Sequence, residues 1–184
     1  MNVIAMWSVV ILTTSAVLTV TAQENLMLNG TARQSSTQRS DWGAGRAIDP
    51  PVSNDFLSGC THTKARRNIK TAWWMFTFSF GLAYVTDITI YYRQDTAIRM
   101  DGFALYVTNV SATVAPPDGY LCFADTKPGF PNVTMTIPCY QMGKYVIYYD
   151  TTGNSQPLNK RGDTITYGPI IELCYVEING ELIL

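Results

Sequence analysis

The chain is poor in the groups that most catalysis uses. It has one histidine, His62, and none of its four cysteines (60, 122, 139 and 174) are paired at CxxC spacing. A zinc site of the usual ligand spacing is therefore not expected. Nucleophilic catalysis by Ser or Cys generally needs a base oriented by a third group, and the one imidazole lies two residues from a cysteine. The 14 acidic residues are scattered, with no recognisable hydrolase pair. The chain is read as a non-enzyme. An excess of one charge is also lacking: 13 Lys and Arg against 14 Asp and Glu give a net charge of −1. Bulk attraction for nucleic acid or anionic lipid is thereby excluded. No helical stripe of useful length, internal repeat, low-complexity tract or dividing linker is present.

Residues 1–22 lack any charged side chain; they contain the apolar stretch Val3–Ile11 and end in Val20-Thr21-Ala22. Six Ser and Thr residues interrupt the run, so no unbroken apolar 20-mer is left to serve as a membrane anchor. The segment reads as a signal peptide cleaved after Ala22, which leaves one domain over 23–184. No later segment is apolar enough to span a bilayer, so the expected product is secreted and extracellular. In that compartment four cysteines are expected as two disulfides, and count alone allows three connectivities. Sequons at Asn29, Asn109 and Asn132 fit an exported glycoprotein.

What the mature chain has in quantity is alternation. Apolar residues make up 47% of the sequence and aromatics 12%, enough to bury a core. In Trp74–Phe80 the even positions Trp74, Phe76, Phe78 and Phe80 share a face. In Tyr84–Arg93, Thr86, Ile88, Ile90 and Tyr92 alternate with Asp87, Thr89, Tyr91 and Arg93. Phe103, Leu105 and Val107 repeat the pattern, as do Val133, Met135 and Ile137, and Tyr145–Tyr149 and Ile171–Ile178 complete the set. A period of two in β-branched and aromatic residues marks half-buried strands. Turns such as Asp49-Pro50-Pro51, Lys127-Pro128-Gly129 and Thr152-Gly153-Asn154 separate them. Seven or eight strands predict an all-β, antiparallel sandwich of jelly-roll type, with Glu24–Leu28 and Ile171–Leu184 pairing near the chain ends.

One polar constellation stands out. Cys60-Thr61-His62-Thr63 precedes a basic loop and Trp73-Trp74; Tyr91-Tyr92-Arg93-Gln94-Asp95 closes a strand, and Arg99 follows. Strand parity points Arg93 outward, with Asp95 near enough to orient its guanidinium. An imidazole and two guanidinia on adjacent loops give a donor-rich site for a neutral ligand, which suits the neighbouring hydroxyls of a sugar. Arg161-Gly162-Asp163 reads as an exposed turn rather than an adhesion motif, and Lys64-Ala65-Arg66-Arg67 as a solvated basic loop.

The ordered pieces Glu24-Asn25-Leu26, Ala32-Arg33-Gln34-Ser35-Ser36, Arg46-Ala47-Ile48-Asp49, Ser58-Gly59-Cys60-Thr61-His62-Thr63, Trp73-Trp74, Arg93-x-Asp95, Gly143-Lys144-Tyr145-Val146 and Cys174-x-Val176-Glu177 span nearly the whole mature chain. Together they resemble the F-type lectin (fucolectin) family, whose discoidin-like jelly roll binds L-fucose. The resemblance implies a lectin for terminal fucose on glycans or glycoproteins, in defence or in cell or gamete recognition. The alternative is an adhesion module on the same fold that has lost sugar binding. Sugar contacts are implied for His62, Arg93 and Arg99, with Asp95 as orienter. Bridges Cys60–Cys174 and Cys122–Cys139 are implied too, as is one structural Ca2+ held by Asp49 and the Cys174 backbone. The chain departs from the family at Thr96-Ala97, where many members carry a cysteine pair, and at Tyr175, where an acid is usual. Homo-oligomerisation stays open.

Overall fold

The computed structural model describes residues 24–113, 119–127, 129–157 and 164–183. The expected leader, 1–22, and Arg161-Gly162-Asp163 lie outside the described residues. Two antiparallel sheets face each other. The first has four strands in the order β1 (Glu24–Asn25), β11 (Leu173–Ile183), β4 (Leu82–Tyr92), β7 (Thr134–Gly143). The second has five: β2 (Gly30–Gln34), β3 (Ala72–Phe78), β8 (Tyr145–Asp150), β5 (Ala104–Thr108), β6 (Tyr120–Ala124). A separate ribbon pairs β9 (Asn154–Pro157) with β10 (Thr164–Tyr167). The architecture is the expected jelly-roll sandwich. The surplus over seven or eight strands lies in β1, β9 and β10, which are two to four residues long.

Alternation builds the core as the sequence implies. Trp74 and Phe76 of β3, Ile88, Ile90 and Tyr92 of β4, Leu105 and Val107 of β5, and Tyr148 of β8 are all at most 1% exposed. Phe103 stacks on Tyr148 with ring centroids 4.6 Å apart. Fully burying one such side chain contributes about 1.5–3 kcal/mol.

Three local expectations are corrected. Phe80 is 61% exposed, because β3 ends at Phe78 and the chain turns through Gly81 at a φ of 94°. Thr86 leaves the inward set: Ala83 and Val85 are buried before it and Ile88 and Ile90 after it, so parity changes between them. In the pairing of β4 with β11, Val85 lies opposite Gly180 and Asp87 opposite Asn179, so Thr86 is the extra residue of a bulge. The first strand stops at Asn25, whose side chain accepts from the Met27 amide at 3.0 Å and caps a 3-10 turn over Leu26–Asn29. The chain ends do meet, with Asn25 opposite Asn179.

Disulfides join Cys60 to Cys174 and Cys122 to Cys139. The first ties a loop to β11; the second ties β6 to β7, one edge strand of each sheet.

Candidate functional site

Two short stretches of backbone set the site. Cys60–Thr63 runs beside the entry to β11. The Thr61 amide donates to the Leu173 carbonyl at 2.8 Å and the Thr63 amide to the Ile171 carbonyl at 3.1 Å. The Thr61 and Thr63 hydroxyls accept from the Leu173 and Ile171 amides, each at 2.9 Å. The threonines are thus spent on the strip itself, and alternation turns His62 to the other side. The Ile171 and Leu173 side chains go to the core and Glu172 goes the opposite way. His62 and Glu172 therefore meet, with Nε2 3.0 Å from Oε1.

The end of β4 supplies the rest. The Arg93 amide donates to the Glu172 carbonyl and the Gln94 amide to the Asn54 carbonyl. Asn54 Nδ2 donates to the carbonyls of Tyr92 at 2.8 Å and Val133 at 3.1 Å. That pin brings the following Phe56 ring over Arg93, 3.9 Å from its guanidinium carbon. The irregular 3-10 turn Gln94–Met100, kinked at Thr96, returns Arg99 to the same place.

The result is a hub around one carboxylate. Glu172 is fully buried. Oε1 faces His62 Nε2 and accepts from Arg93 Nη1 at 2.7 Å; Oε2 accepts from Arg99 Nη1 at 2.7 Å and from the Thr96 hydroxyl at 2.8 Å. Arg93 also grips Asp95 through Nε and Nη2, at 2.5 and 2.7 Å. That bond raises the Arg93 pKa and holds the Asp95 carboxyl below its ordinary value. His62 Nδ1 lies 2.5 Å from the Thr63 carbonyl. Both ring nitrogens face acceptors, which only the imidazolium satisfies together. Burial nevertheless pushes the His62 pKa down; Glu172 opposes this and the two guanidinia add to it.

The structure thus brings together His62, Arg93, Asp95 and Arg99, the four residues singled out from sequence. Arg93 leaves the core face as strand parity implies, but it is not solvent-facing: its side chain is 16% exposed, because Glu172 lies buried on that same face and takes up its guanidinium. Sequence reasoning missed Glu172, Trp42 and Phe56. The available signal for Glu172 was a lone acid within Ile170-Ile171-Glu172-Leu173-Cys174, an otherwise apolar run. Trp42 stacks on His62 with centroids 5.3 Å apart, and Phe56 meets Trp42 edge-on at 5.1 Å. Gln34 holds this corner, its amide donating to the Trp42 carbonyl at 3.1 Å. Outside the rings lies a cleft of about 380 Å³ lined by Arg39, Trp42, Arg46, Phe56 and Leu57 among others.

Asp49 and the Cys174 backbone are the calcium ligands the family resemblance implies, and Arg46 lines the same surface hollow as Asp49. A hard cation of that size wants six or more oxygen ligands. The Arg46 Nε donates to the Asp41 carbonyl at 3.0 Å. Its Nη1 lies 3.4 Å from where a Cβ would stand on Gly59, whose φ of 105° favours glycine. Tyr175 adds no carboxylate beside the Cys174 backbone.

No protein-family model matches the chain, and no curated protein matches it. Solved structures do. A fucolectin from striped bass (Morone saxatilis) serum superposes with a TM-score of 0.65 at 23% identity, over 88% of this chain and 48% of that one. The chain thus spans about half the length of the fish lectin. A Streptococcus pneumoniae fucose-binding module gives 0.60 at 20% identity, over 84% and 96%. A family 32 carbohydrate-binding module from C. perfringens, solved with galactose, gives 0.58 at 13%, over 85% and 98%. The fold of this chain is the discoidin-like jelly-roll sandwich that those lectins and sugar-binding modules share.

Proposed function

We propose that this is a secreted, non-catalytic carbohydrate-binding module, and that its ligand is a glycan bearing terminal L-fucose. The observation that carries the reading is the convergence of His62, Arg93 and Arg99 at one end of the sandwich, beside the Trp42 and Phe56 rings. Fucose pairs vicinal hydroxyls with an apolar methyl face, and such a ligand needs fixed donors next to an aromatic wall. The comparisons support a sugar-binding fold; the donor set suits a sugar, and the choice of fucose rests on the resemblance to F-type lectins and on the fucose-binding proteins among the matched structures.

Glycan-array binding followed by titration of L-fucose tests the reading. Weak binding to fucosylated glycans, competed by free fucose and abolished by Trp42→Ala or His62→Ala in folded protein, is the expected result. An array without any hit would instead favour the second reading, an extracellular interaction module without sugar binding. The burial of Glu172 against all three donors is the observation on that side.

A further inference from the structure

A carboxylate offers two oxygens to surrounding donors, much as a vicinal diol does. Glu172 places its pair where donors from three segments converge. His62 comes from the Cys60–Thr63 strip, Arg93 from the end of β4, and Arg99 and Thr96 from the turn that follows. All four lead to the same two oxygens. An ionised carboxylate is the stronger acceptor, since charge-assisted bonds are roughly twice as strong as neutral ones. A neutral hydroxyl pair reaching these donors has to displace it. Phe56 over Arg93 and Trp42 against His62 close the hub from another side.

We propose that Glu172 is an internal competitor for the sugar: its carboxylate occupies the meeting point of His62, Arg93, Arg99 and Thr96 and keeps the site's affinity for neutral glycans low. The proposal rests on the carbohydrate-binding reading and names the residue that sets its strength. The ligand class is a neutral vicinal diol for the wild type. Once Glu172 is shortened, small carboxylates become ligands as well, because two guanidinia are left facing a space of carboxylate size.

The rival role is orientation, in which Glu172 holds the arginines ready for the sugar. The two roles predict opposite signs. If Glu172 competes, Glu172→Ala binds L-fucose at least tenfold more tightly than wild type. Acetate then competes with fucose and raises the melting temperature of the variant, and does neither to the wild type. Glu172→Gln keeps the shape and an acceptor without the charge, and is expected to gain affinity several-fold; it carries the test if Glu172→Ala does not fold. Fucose titration by calorimetry, with thermal melts of the same samples, reads all of this. Equal or weaker fucose binding by a folded variant, with wild-type binding intact, overturns the competitor role and leaves the carbohydrate reading standing. No binding by wild type or any folded variant overturns both.

Discussion

An Arg99→Ala substitution removes one of two guanidinium partners from a carboxylate that has no exposed surface. Breaking a buried pair from one side costs about 3–5 kcal/mol, because the remaining charge stays buried. The variant is expected to melt roughly 10 °C lower, at a few degrees per kcal/mol for a chain of this size. Adding Glu172→Gln to Arg99→Ala should restore part of the loss, since the stranded charge goes with it. Thermal melts of the four proteins in that cycle give the coupling; additive losses would show that the hub is not an electrostatic unit. Arg39 and Asp41 provide the contrast. Their side chains are 63% and 49% exposed, and such a pair is worth under about 1 kcal/mol. Arg39→Ala should leave the melting temperature nearly unchanged while removing a cation that lies 4.7 Å over the Trp42 ring. Arg93 lies off the core face as Arg39 does, and its buried partner Glu172 is what makes the difference.

At the scale of elements, the strip that carries His62 is held by the Cys60–Cys174 bridge and by four bonds to residues 171–173. The bridge spans 114 positions, and on the chain-entropy argument a loop of that size contributes about 5 kcal/mol. Cys122–Cys139 spans 17 and contributes about 3 kcal/mol. A Cys60→Ser/Cys174→Ser variant should therefore unfold at clearly lower denaturant than Cys122→Ser/Cys139→Ser, and should also lose ligand affinity, because its His62 strip loosens. Equal midpoints in guanidinium titrations would refute the ranking. Arg46 makes a parallel case in the neighbouring loop. Chelator should leave the melting temperature unchanged, and Arg46→Ala should lower it by removing the link to the Asp41 carbonyl. A melting temperature that falls with chelator and recovers with calcium would instead show a bound metal. Sequence made most of this level legible, because period two in Trp74–Phe78, Phe103–Val107 and Tyr145–Tyr149 follows directly from one buried face per strand. The Thr86 bulge was not legible. A parity switch within one strand depends on its register with the partner strand β11, and no residue of β4 announces it. The donors of the site could be read from residue type and spacing. Their shared acceptor could not, because Glu172 is 73 positions from Arg99 and meets it only through the pairing of β11 with β4.

The whole molecule's stability should carry the mark of Asp150, which is 1% exposed at the end of β8. Its Oδ1 accepts from the Thr152 amide at 2.6 Å, and Oδ2 is buried without a partner among the described residues. Burial pushes its pKa from 3.8 up to about 7, against the pull of the Thr152 bond. Between pH 4 and 7 the unfolded chain has released this proton while the folded chain keeps it. Stability from this group is therefore complete below about pH 4 and is lost as pH rises toward 7. His62 acts with the opposite sign. Its folded pKa lies below 6.5, so its contribution is complete above pH 6.5 and is lost as pH falls through the lowered value. Asp95, held down by Arg93, likewise loses its contribution only at acid pH, below the ordinary 3.8. The displacement of Asp150 is the largest of the three in the middle range, so the net slope from pH 4 to 7 should be downward. Asp150→Asn keeps an acceptor for the Thr152 amide and has no proton to release. Its melting temperature should match wild type near pH 4 and exceed it at pH 8, where the stability difference is on the order of 4 kcal/mol at about 1.4 kcal/mol per pH unit. Melts of both proteins across pH 4–8 decide it. Parallel curves would mean that Asp150 titrates normally, with its carboxylate reached by water in the folded state.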